Sequence, residues 1–336
     1  MKILITGGFG FIGSHLIKRL LLNKKNYVLN IDSKSYASMP ESLKNYDKND
    51  RYNYKKISIT NYSKISRIIK NYQPNLIFHL AAESHVDNSI NNPNNFILTN
   101  INGTYNLLNA SVLNIKRKEN FKFIHISTDE VYGSLKNKNE KSFTENSKFL
   151  PNSPYSASKA SSDLLVRAWN KTYKLQTIIT NCVNNYGPWQ FPEKLIPVII
   201  YSCLCKKKIP VYGNGSNIRE WIHVNDHVES LINISKKGKI GETYNIGSGI
   251  ELNNINLVHK ICNYFDKKYP IKFSYKKLIT FVKDRPAHDF RYSVNSKKIQ
   301  KIVKINNNSN FDTKLNDTID WYIDNKKWLI KKIRSL

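Results

Sequence analysis

A glycine-rich turn near the start of the chain restricts its fold more than any other feature. Gly7, Gly10 and Gly13 follow the apolar, strand-like run Lys2–Thr6 and open a segment with helical spacing at residues 14–22. Glycines in this context allow a tight turn, let backbone N–H groups approach a pyrophosphate at the helix N-terminus, and let the helix pack closely on the strand. The sequence therefore predicts a dinucleotide site at the first strand–helix turn.

An acidic residue ends the next strand-like run. Asp32 follows residues 27–31 and stands about 20 residues beyond the glycine turn, where a carboxylate reaches the adenine ribose. A carboxylate in this place accepts hydrogen bonds from both ribose hydroxyls and repels a 2′-phosphate. We therefore predict NAD, rather than NADP, as the cofactor.

Strand-like and helix-like segments alternate as far as about residue 180. The further predicted strands are 75–80, 121–127 and 177–181, and the further predicted helices are 96–113 and 155–173. Such alternation is typical of an α/β fold with a Rossmann-type, doubly wound parallel sheet. Beyond residue 180 turn clusters interrupt the pattern, which favours a smaller mixed α/β substrate-binding domain.

Two later motifs carry the chemistry. Tyr155 and Lys159 are four residues apart in a predicted helix and so share one face. A neighbouring ammonium, together with a positively charged nicotinamide ring, stabilises tyrosinate, so we expect Tyr155 to act as a base well below its reference pKa of about 10. Asp129 and Glu130 stand at a strand end. A plain hydride-transfer enzyme has no use for this acidic pair, which favours oxidation of a sugar, elimination of water, and reduction.

Several sequence blocks place the chain in a known family. With these motifs, the chain resembles the extended short-chain dehydrogenase/reductases and, among them, the dTDP-glucose 4,6-dehydratases, over almost its whole length. The resemblance is carried by the blocks 80–87, 126–133, 153–169, 184–197, 219–221, 241–247 and 284–288. In that family a strand-end Thr-Asp-Glu separates dehydratases from epimerases, which lack the acidic pair.

The resemblance implies a mechanism. Tyr155 would take the proton from the sugar O4 while Thr128 hydrogen-bonds that oxygen, and hydride would pass from C4 to NAD. Glu130 would then abstract the acidified C5 proton, and a protonated Asp129 would donate to the departing C6 hydroxyl. Return of the hydride to C6 would give a 4-keto-6-deoxy sugar nucleotide. This is the reaction of a hydro-lyase, a carbon–oxygen lyase of deoxysugar and rhamnose biosynthesis.

Further site residues are expected by motif. The resemblance implies a catalytic set of Thr128, Asp129, Glu130, Tyr155 and Lys159. It implies cofactor contacts at Gly7, Gly10, Phe11, Ile12, Gly13, Asp32, Ser33, Lys34, Ser58, Ile59, Leu80, Ala81, Ala82, Ser84, Thr99, Tyr155, Lys159 and Asn185. It implies substrate contacts at Ser84, Thr128, Asn184, Lys194, Leu195, Pro210, Val211, Tyr212, Arg219, Asn254, Arg285 and His288. Arginine side chains such as Arg219 and Arg285 are chemically suited to a diphosphate.

The expected organisation follows from the same resemblance. Residues 1–180 would form the NAD-binding domain, with a returning segment near 214–245, and residues 181–336 would form most of the nucleotide-sugar-binding domain. A homodimer is implied through the helices near 100–115 and 156–173. Departures from the family pattern are Ser58 where an Asp is usual, Asn88 where a basic residue is usual, Ala287 where a Gly is usual, and a shorter segment between 111 and 150.

Composition limits the partners. The net charge of +28 comes from lysines in scattered short runs, which we interpret as compositional bias rather than a nucleic-acid surface. The four cysteines show no zinc spacing, so no metal is expected, and a reducing cytoplasm is favoured. Met1 leads directly into a strand, and the apolar stretch 195–205 is too short to span a bilayer, so neither a signal peptide nor a membrane span is expected.

Three alternatives remain open at this stage. UDP-glucose 4,6-dehydratases share the same catalytic residues, so the base of the sugar nucleotide, dTDP or UDP, is not decided by the motifs. A sugar-nucleotide epimerase or decarboxylase would share everything except Asp129 and Glu130. A non-enzymatic NAD-dependent binding protein would use the basic surface as its interaction face, which the intact set of catalytic residues opposes.

Overall fold

A parallel β-sheet forms the centre of the computed structural model, which describes residues 1–303 and 311–334. The strands are β1 (Lys2–Thr6), β2 (Tyr27–Asp32), β3 (Tyr52–Lys56), β4 (Leu76–His79), β5 (Lys122–Thr128), β6 (Thr177–Cys182), β7 (Asn184–Tyr186), β8 (Ile209–Tyr212), β9 (Ile218–His223), β10 (Thr243–Ile246), β11 (Glu251–Asn253) and β12 (Ile279–Val282). The helices are α1 (Phe11–Leu21), α2 (Tyr62–Tyr72), α3 (Val86–Asn91), α4 (Pro93–Phe96), α5 (Gly103–Asn114), α6 (Pro154–Tyr173), α7 (Leu195–Cys205), α8 (Val224–Lys237), α9 (Asn254–Lys268), α10 (Lys297–Gln300), α11 (Phe311–Asp324) and α12 (Lys326–Ile333).

The topology confirms the predicted fold class. Seven strands in the order β10-β6-β5-β4-β1-β2-β3 pair in parallel throughout. The chain starts in the middle at β1, winds outward to β3, and then returns to wind outward on the other side from β4. In such a sheet ligands bind at the carboxyl ends of the strands, where the winding direction reverses. Here that point lies between β1 and β4.

Helices cover both faces of the sheet because the central strands are apolar on both sides. On β1, Ile3 and Ile5 pack on the face covered by α1 and α8, whereas Leu4 packs on the face covered by α2, α5 and α6. The second region has its own core, formed by α7, α9, α11, α12 and the strands β7, β8 and β9, around buried residues such as Leu257 and Ile261. The smaller sheets β11-β9-β7 and β12-β8 belong to this region.

Part of the later sequence returns to the central sheet. Helix α8 packs on it, and β10 pairs in parallel with β6 at its edge. Residues 304–310 and 335–336 of the predicted second domain lie outside the described residues. Within the described ranges, no helix combines the length and apolarity that crossing a bilayer requires.

Helix α6 carries Tyr155 and Lys159 and begins at a strong helix-start signal. Ser153 is its N-cap, the Ser153 and Ser156 side chains form a reciprocal capping box, and Pro154 occupies the first turn. The cap therefore fixes the position of Tyr155 in the first turn and of Lys159 one turn later.

The regular helix predicted over 96–113 is wrong in detail. The structure has α4, then a π-helical segment (Ile97–Asn102), and then α5. The Asn100 side chain explains the irregularity: its Oδ1 accepts from Glu83 N (2.9 Å), and its Nδ2 donates to Ser158 Oγ (2.8 Å). Thr99 lies in this wider turn and lines the cavity described below, and π-bulges are frequent at functional sites.

Candidate active site

A large cavity of about 790 Å³ lies at the carboxyl ends of β1, β4 and β5 and extends into the second region. Its volume lies within the range of small-molecule sites. It is lined by all of the residues predicted for the catalytic, cofactor and substrate sites except Lys34: Gly7, Gly10, Phe11, Ile12, Gly13, Asp32, Ser33, Ser58, Ile59, Leu80, Ala81, Ala82, Ser84, Thr99, Thr128, Asp129, Glu130, Tyr155, Lys159, Asn184, Asn185, Lys194, Leu195, Pro210, Val211, Tyr212, Arg219, Asn254, Arg285 and His288.

The glycine turn fits a dinucleotide pyrophosphate. Gly7 adopts a φ of +75°, and a Cβ on it would lie 2.7 Å from the Ala81 backbone nitrogen, so β1 and the segment after β4 approach closely only because this residue is glycine. Helix α1 begins after Gly10 with no side-chain cap and no acidic residue in its first turn. Its free N–H groups and positive dipole end thus face the cavity, which suits a phosphate.

Close packing at this turn gives a first prediction. A Cβ on Gly13 would lie 2.2 Å from Gly7 O, whereas one on Gly10 would meet only Gly7 O, at 3.1 Å. We expect Gly13→Ala to lower the free energy of unfolding by about 1–3 kcal/mol through overpacking and to weaken NAD binding. The matched variant Gly10→Ala should cost less stability, because its backbone is extended and its neighbour is a single atom. Denaturant titration without cofactor and calorimetric NAD titration measure both effects. Equal stability of the two variants would contradict this packing account.

Asp32, the predicted ribose-binding carboxylate, is buried at the end of β2. Its Oδ2 accepts from Phe9 N at 2.9 Å, and its Oδ1 accepts from Lys34 N at 2.7 Å and Ser38 Oγ at 3.0 Å. The carboxylate is therefore held at the cavity wall by the glycine turn and by its own loop. Lys34 was expected to contact the cofactor, but it does not line the cavity. Its ammonium lies over the ring of Tyr54, 4.3 Å from the centroid. The aromatic face attracts the charge away from the cavity.

The acidic pair lies on a 3₁₀ turn directly after β5. Thr128 caps this turn, since its Oγ1 accepts from Glu130 N at 3.3 Å. Burial, and next the charge of Glu130, raise the pKa of Asp129 well above its usual range. Burial also raises the pKa of Glu130, while the nearby Arg285 and Arg219 lower it. The two carboxyl groups therefore differ in environment, and burial favours the protonated form more strongly at Asp129.

Tyr155 and Lys159 lie beside this pair, but their electrostatics differ from the expectation. Burial, followed by the charge of Glu130, raises the pKa of Tyr155 well above its ordinary value, and a hydrogen bond with Thr128 opposes the shift. The buried Lys159 Nζ donates to Ile126 O at 2.9 Å. Tyr155 is therefore a neutral phenol in the protein alone.

The far end of the cavity is basic. Arg219 is buried, donates to the carbonyl oxygens of Ile218 and Asp289 (2.8 and 3.0 Å), and lies over the ring of Tyr292 at 4.3 Å. Arg285 pairs with Asp87 at 3.6 Å. Arg219 is thus fixed by its carbonyl partners while its charge faces the cavity, and the two arginines give this end a positive potential suited to a diphosphate.

Several buried polar atoms of the cavity wall have no protein partner. Among the residues that the structure describes, Asp129 Oδ2, Gln190 Oε1, Trp221 Nε1 and Asn254 Oδ1 have no hydrogen-bond partner. Buried polar groups are normally hydrogen-bonded, so their grouping around one cavity indicates a polar ligand. The described residues contain no group of His, Cys, Asp or Glu able to hold a metal ion.

Sequence reasoning missed some residues of the cavity wall. Glu83, Glu193 and Tyr292 line it, and the Tyr36 hydroxyl donates to Glu193 Oε2 at 2.9 Å. Glu83 and Glu193 lie inside blocks that carry the family resemblance, which was the available signal. Tyr292 lies four residues beyond such a block, and no local pattern marks it.

Comparison with known families and curated proteins agrees with this geometry. Residues 4–318 match the family described as GDP-mannose 4,6 dehydratase. The chain is 48% identical to a dTDP-glucose 4,6-dehydratase of Salmonella typhimurium, over 98% of this chain and 94% of that protein. It is 47% identical to the enzyme of the same name from Neisseria meningitidis, over 97% of this chain and 94% of the relative.

Solved structures show the same fold. The dTDP-glucose 4,6-dehydratase of Streptomyces venezuelae, crystallised with NAD and TYD bound, superposes with a TM-score of 0.90 at 38% identity, covering 98% of both chains. A UDP-glucose 4-epimerase of Thermotoga maritima superposes with a TM-score of 0.86 at 26% identity, covering 97% of this chain and 99% of the epimerase. The fold is thus common to dehydratases and epimerases, so the residues of the site have to distinguish them.

Proposed function

The chain belongs to the GDP-mannose 4,6-dehydratase family of extended short-chain dehydrogenase/reductases, and we propose that it converts dTDP-glucose to dTDP-4-keto-6-deoxy-glucose, a step of deoxysugar biosynthesis. The observation that carries this proposal is the pair of the buried Asp129 and the partly buried Glu130 beside Tyr155, in one cavity with the glycine turn. An enzyme that only moves hydride has no need for two further carboxyl groups of different protonation state.

The cofactor is NAD, and the chain supplies a matching site for it. Gly7, Gly10 and Gly13 with the start of α1 would hold the pyrophosphate, and Asp32 would accept the ribose hydroxyls. When bound, NAD supplies reversible hydride transfer and a positive charge near Tyr155. Because the hydride is returned in the same turnover, the enzyme needs no external reductant.

Each catalytic side chain has one task. Tyr155 takes the O4 proton, while the Thr128 hydroxyl hydrogen-bonds that oxygen. Oxidation at C4 acidifies the hydrogen on C5, which Glu130 removes as general base. Asp129, whose protonated form is favoured by burial, donates its proton to the C6 hydroxyl, which leaves as water. C6 then receives the hydride and C5 a proton, so the net change is loss of one water molecule.

The base of the nucleotide is proposed to be thymine. Relatives that share nearly half of their residues with this chain over its whole length are named for dTDP-glucose. UDP-glucose remains the competing substrate, because one thymine methyl contributes only about 0.8 kcal/mol on burial. Comparing kcat/KM for dTDP-glucose and UDP-glucose, with detection of the 4-keto product in alkali, tests the function and the base together. Failure of both substrates to turn over would refute the dehydratase proposal, and preference for UDP-glucose would correct the base.

An epimerase or decarboxylase is disfavoured by the same site. By the family resemblance such enzymes share the glycine turn and the tyrosine, and the Thermotoga maritima epimerase has the same fold. They have no role for a buried, protonated Asp129 with an adjacent Glu130. Release of water from dTDP-glucose, measured as loss of the C6 hydroxyl in the product, distinguishes the two reactions.

The protein is further proposed to act as a homodimer in a reducing compartment such as the cytoplasm. Helices α5 and α6 pack side by side and leave Tyr105, Leu113, Leu164 and Tyr173 exposed. Large apolar side chains grouped on adjacent helices favour a second copy of the chain as the cover of this face. All cysteines are unpaired thiols, which suits a reducing environment.

Substitution on this face gives the second prediction. Leu164 on α6 is 57% exposed, and Leu164→Glu should place a charge in the dimer interface and convert the protein to a monomer. Leu22→Glu is the matched control, because Leu22 is 67% exposed and follows α1 on the opposite face of the sheet. Light scattering coupled to gel filtration should give twice the chain mass for the wild type and the control. A monomeric wild type, or a dimeric Leu164→Glu variant, would contradict the proposed interface.

A further inference from the structure

Two walls of the cavity are joined by a tyrosine that the mechanism does not use. On the cofactor side, part of the segment 33–38, which follows β2, lines the cavity. On the substrate side, part of the segment 190–194, which precedes α7, lines it. Tyr36 lies in the first segment but is not itself a lining residue, and its side chain reaches across to the second segment.

The Tyr36 side chain is held by three contacts. Its hydroxyl donates to Glu193 Oε2 at 2.9 Å and accepts from Asn88 Nδ2, on α3, at 3.1 Å. Its ring meets the buried ring of Phe191 edge-on, with the centroids 5.5 Å apart. Burial, and next the charge of Glu193, raise the pKa of Tyr36, so the hydroxyl keeps the proton that it donates. The contacts therefore tie the cofactor segment to α3 and to the substrate segment.

Both ends of the cofactor segment are fixed independently of Tyr36. At the start, the Asp32 carboxylate accepts from Ser38 Oγ at 3.0 Å. Beyond the segment, Glu41 lies in the 3₁₀ helix Pro40–Tyr46, and its Oε1 accepts from Trp328 Nε1 of α12 at 2.8 Å. Loss of the Tyr36 contacts should therefore free the middle of the segment while its two ends stay in place.

We propose that Tyr36 is a latch that closes the cavity over bound NAD and sets the rate at which the cofactor leaves. The inference rests on the proposed function, in which the hydride taken from C4 returns to C6 from the same cofactor. Release of the reduced cofactor between these two steps would leave the turnover unfinished, so slow release serves the reaction. Tyr36 acts by joining the two walls, whereas the affinity for NAD is set by the residues that line the cavity.

The proposal predicts faster exchange of NAD without weaker binding. Tyr36→Phe keeps the ring on Phe191 and removes both hydrogen bonds, so NAD should leave about 3- to 10-fold faster, the effect of an ordinary hydrogen bond on a rate. The Kd for NAD should stay at the wild-type value, because association accelerates equally. Tyr36→Ala, which also loses the aromatic contact, should release NAD faster still.

Holoenzyme loaded with radiolabelled NAD, chased with excess unlabelled NAD and desalted at intervals, gives the release rate, and equilibrium dialysis gives the Kd. Tyr27→Phe is the matched control, because Tyr27 is 52% exposed at the opposite end of β2 from Asp32, and its release rate should equal that of the wild type. An unchanged release rate in Tyr36→Phe would overturn the proposal. A Kd that rises in step with the release rate would also overturn it, because Tyr36 would then support the binding site itself.

A double-mutant cycle tests whether Tyr36 acts through Glu193. Glu193→Ala removes the acceptor of the Tyr36 hydroxyl and should also speed release of NAD. Adding Tyr36→Phe to Glu193→Ala should then change the release rate by less than Tyr36→Phe does in the wild type, because the shared hydrogen bond is already lost. Two independent, multiplying effects would overturn the latch. The release rate is measured without a sugar nucleotide, so failure of dTDP-glucose to turn over would refute the proposed function while this measurement still reported on the latch.

Discussion

Replacing Glu130 by Gln is expected to leave a protein that oxidises its substrate at C4 but does not release water. Gln keeps the size of the side chain, while it cannot accept the C5 proton. Tyr155, Thr128 and Lys159 stay in place, so the first oxidation proceeds. The kcat for 4-keto-6-deoxy product should fall about 10²–10⁴-fold, the usual cost of losing a general base.

The accompanying signal is a rise in absorbance of reduced nicotinamide when the variant is mixed with dTDP-glucose, since the hydride is not returned. Glu229→Gln is the matched control. Glu229 lies on α8, away from the cavity, and forms a solvent-accessible ion pair with Arg19 of α1. Both variants should retain the wild-type melting temperature. Near wild-type turnover of Glu130→Gln would show that another group removes the C5 proton.

Replacing Tyr155 by Phe is expected to stop the reaction one step earlier. The Phe ring keeps the edge contact that Tyr155 makes with Phe96, at 6.3 Å between ring centroids, so folding should be preserved. Without the hydroxyl, the O4 proton has no acceptor and C4 is not oxidised. Turnover should fall by about 10²–10⁴-fold, and no reduced nicotinamide should appear on mixing.

The contrast between the two variants separates the two steps. Tyr27→Phe controls for loss of a phenol, because Tyr27 is 52% exposed at the start of β2. Rapid-mixing absorbance should therefore show reduced nicotinamide in Glu130→Gln and none in Tyr155→Phe. Equal signals from both variants would mean that Tyr155 does not act before Glu130.

Features set by local spacing were predictable from the sequence. The glycine turn, the strand end at Asp32, and the shared helix face of Tyr155 and Lys159 each depend on a short run of residues whose geometry is nearly fixed. The parallel doubly wound sheet follows from the alternation of apolar strands with helices. These features are confirmed by the structure, within a residue or two at most element ends.

Features set by distant packing were not predictable. The π-helical segment before α5 exists because Asn100 bonds to Glu83 and Ser158, which lie far from it in sequence. Lys34 turns to Tyr54 on a neighbouring strand. The raised pKa of Tyr155 results from burial in the assembled cavity, and a sequence motif contains no measure of burial.

The most direct test of the account follows the hydrogen that leaves C4. dTDP-glucose carrying deuterium at C4 is turned over by the wild-type protein with NAD and no added reductant, and the product is examined by NMR and mass spectrometry. The account predicts that the deuterium reappears at C6 of the 4-keto-6-deoxy product and that the C5 hydrogen comes from solvent. A product that keeps the label at C4, or releases it to solvent, would contradict the borrowed-hydride dehydration on which the proposed function depends.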